Sequence, residues 1–255
     1  MKTIFEQILE ARRANDTVAL CTIVHTRGST PCKVGSKMLV YADGTIGSTI
    51  GGGALEKKVI MDALEVIKSR VPSLFSHDLL NQHNMCCGGT VDIFIEPIMK
   101  RNSLYIFGAG HTGQALATQA IPFDFDITLI DDRREYMDQC NLSGVNRMCM
   151  HFEDALAQLP FDEQVFICIM TYSHPTDRDI LAYCLGKPFA YLGMIGSQRK
   201  VEMTKKLFKT GLGISDNDLV RVDMPMGIDI GAEGPEEIAV SILAKLIQVK
   251  HRITT

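Results

Sequence analysis

Apolar positions recur at different spacings in the two parts of the chain, and the change falls near residue 100. At the start, Ile4/Ile8 and Phe5/Leu9 repeat at helical spacing over residues 3–14. "TVALCTIVHT" then reads as a strand, and "KMLVYADGTIG" as a hairpin turning at Asp43-Gly44. After "GGG" a helix is predicted from Ala54 to Ser69, with Leu55, Val59, Ala63 and Ile67 on one face. Strands are expected around Leu74–Leu80 and Thr90–Ile95. The polar, proline-containing stretch from Glu96 to Ser103 reads as a linker.

From Leu104 the rhythm becomes strand, helix, strand, helix. "LYIF", "ITLI", "VFICIM" and "FAYLGMI" are short apolar runs suited to parallel strands buried on both faces. Helices are predicted between and after them at Gln114–Ile121, Asp177–Leu185 and Gln198–Thr210. A final helix opens with "GPEEIAVSILAKLI" and buries Ile238, Ile242, Leu246 and Val249. The expected fold class is α/β. An N-terminal α+β domain (1–99) precedes a Rossmann-like, doubly wound parallel-sheet domain (100–255).

Composition narrows the function classes. With 255 residues, 46% hydrophobic and 22% charged, the chain is an ordinary globular protein. No apolar run approaches the roughly 18–20 residues of a membrane span. The first helix mixes acids with arginines, unlike a signal peptide, so a cytoplasmic location is expected. A net charge of −4 without a basic block argues against a nucleic-acid partner. Eight cysteines without a C-x-x-C pair make a disulfide framework improbable; most, Cys168 above all, read as small buried hydrophobes.

The chemistry concentrates in glycine-rich joints. "LYIFGAGHTGQALA" is a strand, then G-x-G-x-x-G as Gly108, Gly110 and Gly113, then a helix. Glycines there permit a tight turn and close approach of a phosphate to helix amides. Asp131, ending the next strand with Asp132, stands at the distance expected for a ribose contact. A scaffold that binds no dinucleotide fits the same pattern. His111 is either a ligand contact or a solvent-facing loop residue. His174 and Asp177 should sit at the C-terminal edge of the sheet, although Asp177 also suits a plain helix start. Ser197, Arg199 and Lys200 form either an anion site or an exposed charged helix start. Gly227, Gly231 and Gly234, around Asp229 and Glu233, suggest backbone near a ligand or a second copy of the chain.

In the first half, Gly51, Gly52 and Gly53 precede a helix and suggest a second anion-binding nest, with Arg27, Ser29, Ser36 and Lys37 as further donors. "NMCCGGTVDIFIEP" adds Cys86 and Cys87 before Gly88 and Gly89. Neighbouring strand residues point to opposite faces, so the two thiols would not readily chelate one ion. His83 and Cys86 have half a zinc spacing with no second pair to match. A thiol in a glycine bend can have a lowered pKa, which makes Cys87 the candidate thiolate and Cys86 the packing residue.

Taken in order, "GSTPCKVGSKMLV", "DGTIGSTIGGGALE", "CCGGTVDIFIEP", "FGAGHTGQALA", "YLGMIGSQRK" and "GIDIGAEGPEEIAVSI" resemble the xanthine dehydrogenase accessory (XdhC/CoxI-type) family over essentially the whole chain. The resemblance implies an accessory protein that binds molybdenum cofactor (molybdopterin) and serves as a chaperone delivering it to xanthine dehydrogenase or a related molybdenum hydroxylase. It is then a carrier and not an enzyme with turnover of its own. It implies that Cys87, matching the cysteine of the family's C-G-G motif, is a candidate metal contact. A homodimer and a cysteine desulfurase partner are further expectations. The alternatives are an NAD(P)-dependent oxidoreductase using His174 or Cys87, with NAD(P) or another nucleotide at the glycine loop, and a regulatory nucleotide-binding module.

Overall fold

The computed structural model describes residues 2–30, 33–80, 89–208 and 214–254. The chain divides into two compact units, 1–100 and 101–255. Cys32, His83, Cys86, Cys87, Gly88 and Thr210 lie outside the described residues.

The first unit begins with α1 (Ile4–Arg13), whose N-terminus is closed by a reciprocal Thr3–Glu6 capping box. Its Ile4/Ile8 stripe packs on Leu39 and Val18, whereas Phe5 and Leu9 face outward. The strands follow as β1 (Val18–Arg27), β2 (Lys37–Tyr41) and β3 (Ile46–Gly47). The expected turn is present, with Gly44 at φ +83° and Asp43 accepting from Thr45. Next come α2 (Gly53–Ser69), β4 (Ser73–Asp78) and β5 (Thr90–Ile98). They build a sheet in the order β3-β2-β1-β5-β4, whose named pairs are antiparallel. Alternate β1 residues Ala19, Cys21 and Ile23 turn toward the α2 stripe of Leu55, Val59, Ala63 and Val66, closing one core.

The expected linker from Glu96 to Ser103 is mostly strand. β5 continues to Ile98, and β6 (Asn102–Phe107) starts four residues later. Pro97 is tolerated because the β4 ladder has ended at the Ser73–Ile95 pair, leaving β5 a neighbour on one side only.

The second unit alternates as expected: β6, α3 (His111–Ala120), β7 (Phe125–Asp131), α4 (Arg134–Gln139), β8 (Val145–Cys149), α5 (Phe152–Gln158), β9 (Val165–Ile169), α6 (His174–Leu185), β10 (Tyr191–Met194) and α7 (Gln198–Leu207). A short α8 (Asp216–Val220) and the long α9 (Gly234–Thr254) complete it. The strands form a parallel sheet in the order β10-β9-β6-β7-β8. The chain starts at the middle strand, grows to one side, then crosses over to the other, so the switch point lies between β6 and β9. One core packs α3 and α9 on one face, around Leu116, Ile242 and Leu246; the other packs α5 and α6 on the opposite face, around Leu156, Ile180 and Leu181.

Two predicted helices start three residues earlier than expected, at His111 and His174. β8 and the short helices α4, α5 and α8 lacked a sequence signal. β8 is an edge strand whose Asn146, Arg147 and Cys149 are exposed, so it carries no apolar run. Cys21, Cys140, Cys168 and Cys184 are buried and free, as expected of small hydrophobes; Cys149 is free but exposed. Among the described residues no helix is long and apolar enough to cross a membrane.

Candidate functional site

The sheet's C-terminal edge in the second unit gathers most of the chemistry. Each glycine of the β6–α3 loop has a distinct physical reason. Gly108 sits at φ +114°, and a Cβ there would strike the Met170 carbonyl. A Cβ on Gly113 would strike the Gly108 carbonyl, so this glycine lets α3 pack on the loop. Gly110, the N-cap of α3, has open space where a Cβ would project, and its position supplies no side-chain cap to the helix. Gly110 is therefore the point at which a ligand can approach the backbone. His111, the first residue of α3, is exposed and lines a depression with Gln114, Gln119 and Glu236.

Asp131, at the end of β7, is engaged by this chain's own donors. It is 0% exposed; its Oδ2 accepts from the Ala109 amide at 2.6 Å and from Arg133 Nη2 at 2.8 Å, and its Oδ1 from Arg133 Nε at 2.9 Å. Burial pushes its pKa up, but the Arg133 and Ala109 hydrogen bonds outweigh this and hold it below the usual carboxylate range. This carboxylate pins the glycine loop to β7 through the Ala109 amide, with Arg133 engaging both of its oxygens. Arg133 in turn lies between the rings of Tyr136 and Tyr172, 3.9 and 4.3 Å from their centroids.

On the other side of the switch point, the structure brings together residues from two separate sequence stretches. A cavity of about 360 Å3 opens where α6 and α7 begin, lined by His174, Arg178, Ser197, Arg199, Lys200, Met203 and Thr204. Three permanent cations and a histidine share it, and among the described residues no carboxylate lines it. Both helices direct the positive ends of their dipoles to these starts. Asp177 is a positioning group. Buried, it accepts from the Thr171 amide at 2.9 Å and the Thr171 hydroxyl at 2.6 Å, and faces His174 Nδ1 at 3.4 Å. Burial raises its pKa more than those hydrogen bonds lower it. Ser197 occupies the N-cap position of α7 without making a capping hydrogen bond, so its hydroxyl is not committed to the helix. Sequence reading missed Arg178, although its i+4 spacing from His174 places the two on one helix face.

The loop between Met226 and Glu233 is held by this chain itself. Asp223 Oδ2 accepts from the Gly227 amide at 2.9 Å and from Tyr191 Oη at 2.7 Å, and Ser241 Oγ donates to the Ile228 carbonyl at 2.6 Å.

In the first unit, Gly89 is buried beneath the loop that follows β1. A Cβ there would lie 2.5 Å from the Arg27 carbonyl oxygen and 2.7 Å from that of Ser29. The end of the C-G-G motif therefore abuts the Arg27–Ser29 turn. Arg27 and Ser29 are exposed there, and Gly28 takes φ +71°. Lys37 is drawn into the sheet, donating to Thr22 Oγ1 at 2.9 Å, and Ser36 accepts the Ile23 amide through its carbonyl. Gly51, Gly52 and Gly53 have φ values of +136°, +78° and +75°, with open space beside Gly52 and Gly53. The nest is narrower than expected, because Glu56 takes the Ile50 amide and Thr49 takes the Gly51 amide. The N-cap position of α2, Gly52, supplies no side-chain hydrogen bond. A cluster with no sequence prediction lies on α2 and β4: Asp62 and His77, both buried, face each other at 3.5 Å, and Lys58 binds the same carboxylate. Among the described residues no group of three or more His, Cys, Asp or Glu residues could hold a metal ion.

These features define a two-part α/β protein with a dinucleotide-type fold in its second unit. Residues 11–78 match the XdhC and CoxI family, residues 104–246 match the XdhC Rossmann domain, and the chain belongs to this family. It is 35% identical over 256 residues to the uncharacterized protein YqeB of Escherichia coli (strain K12), covering 97% of this chain and 46% of that one. To a probable xanthine dehydrogenase component of Bacillus subtilis (strain 168) it is 29% identical over 165 residues, or 64% of this chain and 48% of that one. The chain thus spans about half the length of these curated relatives. A crystal structure described as a xanthine dehydrogenase from Bacillus halodurans shares the fold, with a TM-score of 0.53 at 23% identity over 96% of this chain and 95% of that one.

Proposed function

We propose that the chain is an accessory protein in the maturation of xanthine dehydrogenase or a related molybdenum hydroxylase, binding molybdenum cofactor and passing it to that client. The observation that carries the reading is the cavity at the starts of α6 and α7. Its Arg178, Arg199, Lys200 and His174, with no carboxylate among the described lining residues, complement the terminal phosphate of a molybdopterin. Family membership supports the client class. When bound, the cofactor supplies the metal and sulfur chemistry that the client uses.

This chain's residues bind and release. Arg178 is half-buried, whereas His174, Ser197, Arg199 and Lys200 are exposed, so their attraction for an anion is screened by water and salt. That suits a carrier, which has to surrender its cargo. The amides at the start of α2 and the Arg27–Ser29 turn offer further donors in the first unit. Cys87, next to Gly88 and Gly89, is the soft ligand the family resemblance assigns. A second copy of the chain and a cysteine desulfurase are the accompanying partners in this reading.

Mixing the protein with molybdenum cofactor is expected to change its absorption spectrum, and adding NAD(P)H to change nothing. Cys87→Ser should weaken cofactor retention while leaving the melting temperature nearly unaltered. The rival reading, an NAD(P)-dependent oxidoreductase, has the open approach at Gly110 in its favour. Saturable NAD(P) binding with hydride transfer to a small substrate would establish that rival and overturn the carrier.

A further inference from the structure

Two exposed features of the second unit carry opposite charge, each with exposed apolar side chains. The first is α7. Val201, Thr204 and Phe208 are buried, whereas Met203 and Leu207, one turn apart, expose 55% and 45% of their surface. Arg199, Lys200, Lys205 and Lys206 lie around this apolar pair. All four are exposed, against a single acid, Glu202, in a chain of net charge −4. Arg199, Lys200 and Lys205 form no salt bridge among the described residues.

The second is the glycine-rich loop that runs into α9. Ile230 exposes 52% of its surface, and Asp229, Glu233, Glu236 and Glu237 are exposed around it. No lysine or arginine occurs between Arg221 and Lys245. Asp229 accepts from the Gly231 amide and Glu237 from the Glu233 amide. The Glu233 and Glu236 carboxylates have no such partner among the described residues. Gly231 and Gly234, at φ +68° and +80°, have open space beside them, so no described atom stands over the loop there.

The two features are neighbours. A cavity of about 400 Å3 lies between them, lined by Gly196 and Gln198 at the start of α7 and by Asp229, Ile230 and Ala232 of the loop. A two-fold axis passing between them turns each feature over its opposite on a second molecule, so that one contact is made twice. An anionic membrane or a nucleic acid would attract α7 but be repelled by the acidic loop beside it. A second copy supplies the opposite charge at both places, with aliphatic side chains to meet the exposed ones.

We infer that a second copy of the chain docks its residues 229–237 on α7, engaging Arg199 and Lys200, two cations of the anion-binding cavity, so that self-association and anion binding compete. The contact stands on the two surfaces alone; the competition rests on the anion-binding reading of the cavity. Exposed ion pairs are individually weak and screened by salt, so the association is reversible and salt-sensitive.

Sedimentation velocity of the full chain tests it. Arg199→Glu/Lys200→Glu and Glu233→Lys/Glu236→Lys should each weaken self-association at least tenfold. An equimolar mixture of the two should restore it, because both contacts of the mixed pair again join opposite charges. Ile230→Ser should weaken association without altering charge, which keeps the test decisive if a charge-reversed variant does not fold. A wild type that stays monomeric, variants that associate as wild type does, or folded charge variants whose mixture stays monomeric overturn the contact. At equal ionic strength, inorganic phosphate should dissociate the wild-type pair more than chloride does, and equal effects overturn the competition. Phosphate titrated into Glu233→Lys/Glu236→Lys, whose cationic cavity lining is intact, reads the anion site without self-association, so failure of the carrier reading is distinguishable from failure of the contact.

Discussion

The two units both carry glycine-rich turns ahead of a helix, but for different physical reasons. In the second unit Gly108 and Gly113 are demanded by contact, since the Met170 and Gly108 carbonyls occupy the places a Cβ would take. In the first, Gly52 and Gly53 are demanded by positive φ alone, with open space beside them. A glycine that fills a packing role is a part of the fold. A glycine beside open space leaves backbone accessible, and in the β6–α3 loop that description fits Gly110. The same sequence signal therefore marks scaffold at two positions of G-x-G-x-x-G and an approach point at the third.

Substitution sharpens this contrast. Gly113→Ala and Gly108→Ala have to displace backbone, so each should cost at least about 3 kcal/mol, read as a lowered urea midpoint. Gly52→Ala meets no atom and pays only for its backbone angles, φ +78° with ψ −174°, a region essentially confined to glycine, at about 2 kcal/mol. Equal losses at Gly113 and Gly52 would erase the distinction.

Asp131 breaks or supports the claim that the second unit's loop is held from within. Asp131→Asn, which takes the anion from Arg133 and weakens the hold on the Ala109 amide, should cost on the order of 3 kcal/mol at neutral pH. The carboxyl's pKa is lower in the folded state than in the unfolded one. Its contribution is thus complete above the unfolded value, about 3.9, and is lost as pH falls through the lower folded value. The wild-type protein should lose stability below about pH 4 more steeply than Asp131→Asn. Parallel acid limbs in the two proteins would mean that the carboxylate is not engaged as described.

The smallest effect on stability is expected at the thiols. Burial pushes Cys21 and Cys184 to about 12 and raises Cys168 as well, while Cys149 is exposed. Thiol titration of the native protein should find Cys149 reactive and these three silent until unfolding. Cys149→Ser should remove a fast-reacting thiol with a change in stability within about 0.5 kcal/mol.

The central strands were legible in the sequence because burial on both faces forces continuous apolar runs such as "VFICIM". The edge strand β8 was not, because an exposed edge imposes no such pattern. Glu96–Ser103 looked like a linker because β5 loses its second neighbour there and tolerates Pro97. At the site, the residue types that gather charge were visible, but their pairing was not. His174 and Arg199 are 25 positions apart and meet only because β9 and β10 are adjacent and parallel. Asp131 read as a ligand contact because a carboxylate at a strand end looks the same whether or not an arginine two residues later engages it.

The most direct test of the carrier reading is the molybdenum and pterin content of the protein after incubation with molybdenum cofactor and gel filtration, comparing wild type with an Arg178→Ala/Arg199→Ala double variant of unchanged melting temperature. Wild type should retain both, and the variant at least tenfold less. Equal retention by the two proteins, or none by either, would contradict the carrier reading.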